Sequence, residues 1–271
     1  MSNRWDIVIL GCGQLGGNLK TQLEAEKMTV MGVRRTPSPD DPTLWAMDLD
    51  QPDSWDRLAE LPVSDRVVWV GIVTPDERTE TAYRHRYVGV ASRLRQLASL
   101  PGRAQPVVWV SSTAVFGEAQ TGLLTEETVP HPDHWRGEVV REAERAIEQI
   151  SAPYCVMRFT GLYSAASVSR LNTQAMRQAL SPTTVSNRMH RADAVAWLAH
   201  VVSALHQGHP VPKLVHGVDE CPATYQALWD RLDGRSSCLQ PATAGRRIAT
   251  RYRSDLPQLT YPSFDRLLGD Q

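Results

Sequence analysis

The chain has 271 residues, 42% apolar and 22% charged, with 29 basic and 30 acidic side chains and a formal net charge of −1. That length supports a substantial core, and the balanced charge lacks the field that nucleic acid or an anionic membrane attracts, so neither is expected as a partner. Cys12, Cys155, Cys221 and Cys238 form no C-x-x-C pair, no apolar run approaches ~20 residues, and the start lacks a basic, apolar leader; a cytoplasmic protein without a metal site is expected.

Residues 7–10 are a β-branched apolar run followed by a glycine cluster, which predicts a buried strand. Leu15, Leu19 and Leu23 then recur at helical spacing. A second strand is predicted at 28–33, a short third at 45–49, a brief helix at 54–61 capped by Asp53 or Ser54, and a fourth strand at 67–73 stopped by Pro75. A long helix follows at 77–100, ended by Pro101-Gly102, then a fifth strand at 107–111. Residues 117–134 read as loop, and Asp133 is placed to cap a helix running to about residue 150. A sixth strand is predicted at 153–159. Alternating strands and helices imply an α/β fold, a Rossmann-type doubly wound parallel sheet. Beyond Gly161 the pattern supports a helix at 193–205 with Asp193 as its cap, a strand at 213–218, a helix at 224–232 and a mostly irregular tail from Gly234. Residues 1–160 are expected to form the Rossmann domain. Residues 161–271 are expected to form a small substrate-binding cap, with parts of about 185–218 returning to the Rossmann core.

Gly11-Cys12-Gly13-Gln14-Leu15-Gly16 fits G-x-G-x-x-G, set between a strand and a helix. Gly11 permits a tight turn, Gly13 lets a diphosphate approach the backbone, and Gly16 lets the helix pack on the strand. The free amides around Gln14 and Leu15, with the positive end of the helix dipole, then hold phosphate. A bare glycine turn without ligand is the alternative, and the flanking strand and helix argue against it. The second strand ends in Arg34-Arg35-Thr36, where an NAD-selective fold carries a carboxylate. Guanidiniums there favour NADP through its 2′-phosphate, with Thr36 or Ser38 assisting. If both arginines are merely solvated, NAD remains as the cofactor.

The segment Val108-Trp109-Val110-Ser111-Ser112-Thr113-Ala114-Val115-Phe116-Gly117 resembles the Ser-Ser-x-x-Val-Tyr-Gly segment of extended short-chain dehydrogenases/reductases, the NAD-dependent epimerase/dehydratase family. Asp48-Leu49 resembles its adenine-side motif, and Val70-Gly71-Ile72 its backbone lining after the fourth strand. Arg158-Phe159-Thr160-Gly161-Leu162-Tyr163 is similar to its Arg-Pro-x-x-Val-Tyr-Gly, and residues 187–193 to its Ile-His-Val-x-Asp. Tyr261-Pro262-Ser263-Phe264 resembles the end of an atypical bacterial subgroup. The resemblance implies Asp48, Leu49, Gly71 and Ser111 along the cofactor and Ser112 as a polarising hydroxyl. It also implies a nucleotide sugar or small carbonyl compound as substrate, and a homodimer through the helices near 77–100 and 135–150.

The family's catalytic Tyr and Lys, one helical turn apart, have no counterpart. Aligned on Glu144, Arg136 stands at the Tyr position and Val140 at the Lys position, and no lysine lies between Lys27 and Lys213. Three readings stay open. An enzyme would use substitutes: Ser112 to polarise, Arg136 or Arg141 for positive charge, and His134, His131, Glu126, Tyr83, His85 or Tyr87 for acid/base work. Tyr83 and Tyr87 share a face at helical spacing. A sensor would bind NADP and signal to a partner, and a third kind of protein would hold the cofactor for structure alone. Arg158 is placed to anchor an anionic substrate group or a structural carboxylate. Arg246, Arg247, Arg251 and Arg253 read as a solvated basic face, or as a contact for a phosphate-bearing substrate. Trp135 is a candidate for stacking on a ligand.

Overall fold

The computed structural model describes residues 4–36, 39–100 and 104–269, and seven parallel strands form its spine. The first five are β1 (Trp5–Leu10), β2 (Val30–Arg34), β3 (Leu44–Ala46), β4 (Val63–Gly71) and β5 (Val107–Ser112). The strands Tyr154–Phe159 and Leu214–Gly217 complete the sheet. The spatial order is β3-β2-β1-β4-β5, then Tyr154–Phe159, then Leu214–Gly217. From β1 the chain winds outward through β2 and β3, then crosses to β4 on the other side. Strand order thus reverses between β1 and β4, and a crevice opens at their carboxyl ends, where folds of this type place ligands.

Ile7, Val8, Ile9 and Leu10 are all fully buried. Successive side chains point to opposite faces, so a strand apolar at every position needs cover on both sides. On one face Val8, Leu10, Met31, Trp69 and Trp109 belong to a core that also takes in α2 (Pro52–Ala59), α4 (Val90–Ala98) and α5 (Trp135–Glu148). On the other, Ile7, Ile9, Val68 and Met157 pack with α1 (Gln14–Ala25) and the helix Arg191–His206. Gly71 belongs to this packing: a Cβ there would lie 2.4 Å from the Trp109 ring.

The predicted long helix begins at Glu80, where Thr79 accepts the Ala82 N–H, and is divided. A π-turn, Arg84–Gly89, separates α3 (Glu80–Tyr83) from α4. Its wider ring shifts the helical phase, a distortion common at functional sites. Three expected caps differ from those observed: α2 starts at Pro52 after Gln51, so Asp53 and Ser54 lie inside it rather than capping it. His134, not Asp133, caps α5, its Nδ1 accepting the Arg136 N–H at 3.2 Å; Asp133 accepts the Glu118 N–H instead. His190, not Asp193, caps Arg191–His206. Asp193 accepts the N–H groups of Thr260 and Tyr261 at 2.8 and 2.9 Å, fastening the tail.

The basic tail is bound to the body of the protein: Arg246, Arg247 and Arg253 are half-buried, and of the four arginines Arg251 is the exposed one. Its strand Arg246–Ile248 pairs with Gly122–Leu124. Arg246 donates to the Phe116 and Gly117 carbonyls at 2.9 and 3.1 Å. Arg251 pairs with Glu127, and Arg253 lies over the Trp197 ring at 4.9 Å. Glu126 accepts from the His216 N–H, the Thr250 hydroxyl and the Arg251 N–H. It is therefore a clamp between segments rather than a group free for acid/base work.

One ion pair is wholly internal. Glu144 is 0% exposed and Arg158 2%. Glu144 accepts from Arg158 Nε and Nη2, both at 2.8 Å, and from Arg141 at 3.1 Å. Arg158 therefore holds a structural carboxylate. Glu144→Leu would strand the Arg158 charge, and is expected to cost about 3–5 kcal/mol and to lower Tm by roughly 6–20 °C in a thermal melt. Pairing it with Arg158→Met is expected to recover most of the loss.

Candidate functional site

The chain leaves β1 at Gly11 with φ +95°. A Cβ there would stand 1.8 Å from the Ile72 carbonyl oxygen, so no L side chain fits. A Cβ on Gly16 would lie 2.8 Å from the Gly11 oxygen, and its lack lets α1 sit tight on the turn. Gly13 is different in kind. Its φ of −82° is negative, and no heavy atom lies within 4 Å of the position its Cβ would take. Gly13 caps α1 without a side chain, leaving the first amides of the helix as available donors. An open face over free amides is a cradle that fits a diphosphate.

Two adjoining hollows of about 340 and 320 Å³ run across this turn and share Gly11, Gly13, Ile72, Val73 and Thr74. The first is lined by Arg34, Arg35, Thr36, Met47, Leu49 and Arg86. The second is lined by Gln14, Leu15, Gly16, Tyr87, Ser111 and Arg191, with Val110 and Leu162. The fold thus brings together Gly11, Gly13, Gln14, Leu15, Gly16, Arg34, Arg35, Leu49 and Ser111, as the motifs imply. Asp48 and Gly71 lie outside the lining: Asp48 accepts the Asp50 N–H at 3.1 Å, and Gly71 makes room for Trp109. Ser38 lies outside the described residues, as do Pro101 and Gly102.

Among the described residues, the lining of the first hollow has three guanidiniums and no carboxylate. Arg35 forks onto Asp76, which sits outside that lining, and this pairing holds the Asp76 carboxyl below its usual range. Arg86, 7% exposed, pairs with Asp50 at 3.0 Å and Asp76 at 3.5 Å. Arg34 Nε donates to the Thr36 carbonyl at 2.7 Å. The acids therefore hold two of the arginines in place without occupying the hollow. The π-turn sets the consecutive residues Arg86 and Tyr87 against different hollows. Arg86 and Arg191 escaped the sequence reading.

None of Ser112, Arg136, His134 and Tyr83 lines either hollow. Ser112 Oγ accepts the Ala114 N–H at 3.2 Å, capping a single 3₁₀ turn. Arg136 is exposed and lies over the Trp135 ring at 5.1 Å. His134 is the α5 cap. Tyr83 packs between Tyr87 and Trp135, with ring centroids at 5.5 and 5.1 Å. Val140 is buried core beside Val115, Phe116 and Ile248. The tyrosine in the lining of the second hollow is Tyr87, whose pKa is pushed up to about 12 by burial, with Tyr83 adding to it. Ser111 faces the groove while its hydroxyl donates to Glu144 at 2.6 Å, which leaves it an acceptor toward any ligand. Among the described residues no group of three His, Cys, Asp or Glu side chains converges to hold a metal, and no helix is long and apolar enough to cross a membrane.

The two glycines separate fold from binding. Gly11→Ala is expected to lower Tm. Gly13→Ala is expected to leave Tm unchanged while weakening a diphosphate-bearing nucleotide by about tenfold or more, read by calorimetry.

Residues 5–210 match the family model described as "RmlD substrate binding domain". No curated protein matches. Among solved structures, a putative NAD-dependent epimerase/dehydratase from Methylobacillus flagellatus is similar at TM-score 0.77 and 24% identity, covering 99% of this chain and 97% of that one. MoeE5 in complex with UDP-glucose and NAD is similar at TM-score 0.73 and 22% identity, covering 98% and 97%. The human epimerase family protein SDR39U1 with NADPH is similar at TM-score 0.69 and 19% identity, covering 97% and 98%. At these identities the likeness is one of fold. The family match over most of the length, together with the seven-stranded sheet and its glycine turn, shows that the chain belongs to the RmlD substrate binding domain family, within the extended short-chain dehydrogenases/reductases of the NAD-dependent epimerase/dehydratase type.

Proposed function

We propose that this protein binds NADP(H) across the carboxyl ends of β1, β2, β4 and β5 and reduces a carbonyl compound, with Tyr87 as the proton donor. The observation that carries the cofactor reading is the first hollow: Arg34, Arg35 and Arg86 line it, no carboxylate does, and it is continuous with the glycine turn. A 2′-phosphate is a dianion that guanidiniums hold in forks, whereas a ribose hydroxyl calls for a carboxylate there. The solved relatives described with NAD and with NADPH support a nicotinamide dinucleotide. The relative described with UDP-glucose supports a nucleotide sugar as one substrate class, beside smaller carbonyl compounds.

When bound, the reduced dinucleotide supplies a hydride. The protein's part is the proton. With its pKa pushed up to about 12, Tyr87 is protonated at neutral pH and can donate to the oxygen of a carbonyl under reduction, since an alkoxide is more basic than a phenolate. The reverse reaction needs the phenolate, which at pH 7 is about one part in 10⁵ of a tyrosine so shifted. No lysine lowers this phenol, and Arg191, in the same lining, is absent from the causes of its shift. At neutral pH Tyr87 therefore rests in the form that donates a proton, the form reduction starts from. A second reading, NADP(H) sensing without turnover, is favoured by the solvent-facing Arg136 and buried Val140 at the Tyr and Lys positions.

In competition titrations, replacing Arg34 and Arg35 together by Ser is expected to weaken NADPH by about 10–100-fold and NADH by under about twofold. Equal losses would reject the 2′-phosphate assignment. Tyr87→Phe is expected to lower NADPH-dependent carbonyl reduction by about 10²–10⁴-fold with cofactor affinity intact. The protonated form is the active one, so the alkaline fall in rate is expected to move toward about 12 from the ordinary tyrosine value of about 10. Absence of turnover with every carbonyl offered, despite tight NADPH binding, would support sensing.

A further inference from the structure

We infer that Arg191 is a diphosphate clamp, reaching the bound dinucleotide from the side of the chain beyond Gly161 while the glycine turn holds it from the other. This rests on the NADP(H) reading above.

Arg191 lines the second hollow together with Gly13, Gln14, Leu15 and Gly16. It is, among the described residues, the only charged side chain in that lining. Among the described residues it forms no hydrogen bond or ion pair, whereas Arg35 and Arg86 both have carboxylate partners. Its position is electrostatically unfavourable. Arg191 is the first residue of a 16-residue helix, at the positive end of the dipole, where a cation is disfavoured by a few tenths to about 1 kcal/mol. Asp193, in the same turn, spends both carboxylate oxygens on the tail amides of Thr260 and Tyr261. An unpaired arginine at the wrong end of a helix is relieved by an anion.

The hollow tells which anion. The uncapped amides of α1 and the Arg191 side chain line the same hollow. A group that meets both donors is an anion with several acceptor oxygens at the glycine turn. The diphosphate that links the two halves of a dinucleotide meets this description. The two helices that begin at this hollow, α1 and Arg191–His206, pack against each other. Binding therefore ties the first helix of the chain to the segment that follows Gly161.

The test uses calorimetry on the full chain with NADP⁺, ADP-ribose and adenosine 2′-monophosphate. ADP-ribose has the diphosphate without nicotinamide or 2′-phosphate; the monophosphate has only the adenosine end. Arg191→Met is expected to weaken NADP⁺ and ADP-ribose by the same factor, about 10–100-fold. It is expected to leave the monophosphate and the Tm of the free protein unchanged, and Arg191→Lys should fall between wild type and Met. Wild-type affinity for NADP⁺ and ADP-ribose in Arg191→Met overturns the clamp alone. So does an equal loss for all three ligands, which marks a structural role. A wild-type chain that binds neither NADP⁺ nor ADP-ribose overturns the cofactor reading and the clamp with it.

Discussion

The contact on which the rest of this molecule is built is backbone against backbone: the turn after β1 presses Gly11 onto the Ile72 carbonyl at the end of β4. Only a glycine with positive φ permits that approach. The consequence is positional. With the turn drawn in against β4, α1 starts low over the sheet, its amides point into the crevice, and Gly13 is left with open space above it. Each hollow of the groove contains this turn, so a change at Gly11 reaches both.

Charge divides the groove into two unlike halves. At the β2 end the cations are held by acids outside the lining, through Arg35 to Asp76 and Arg86 to Asp50. Such arginines are fixed in place and ready to fork onto a phosphate at little further ordering cost. At the β5 end the supporting structure is the buried Glu144. It takes the Ser111 proton as well as the Arg158 fork, so a groove-facing serine is locked as an acceptor from below. The same carboxylate thus stabilises the fold and sets the polarity of the site.

Much of this was legible from residue order, and the boundary is physical. The glycine turn, the arginines ending β2 and the first six sheet strands are local signals, carried by residues adjacent in sequence. Tyr87 was among the acid/base candidates that the sequence offered, without a signal to single it out, and Arg86 was hidden by the π-turn. Four-residue spacing puts Tyr83 and Tyr87 side by side, and their rings do meet at 5.5 Å; Tyr87 lines the groove and Tyr83 lies behind it against Trp135. Arg191 had a signal that could have been read: an arginine opening a helix, against the dipole. The tail arginines had none, because their acceptors include the Phe116, Gly117 and Val218 carbonyls, which no side-chain pattern announces. The vacant Tyr and Lys positions were plain in the sequence; that Arg136 turns to solvent and Val140 to the core was not.

The most direct test of the central claim is a structure of the chain crystallised with NADP⁺. The account predicts the diphosphate seated over Gly13 and the 2′-phosphate among Arg34, Arg35 and Arg86. A dinucleotide bound elsewhere, or an empty groove at saturating NADP⁺, would contradict it.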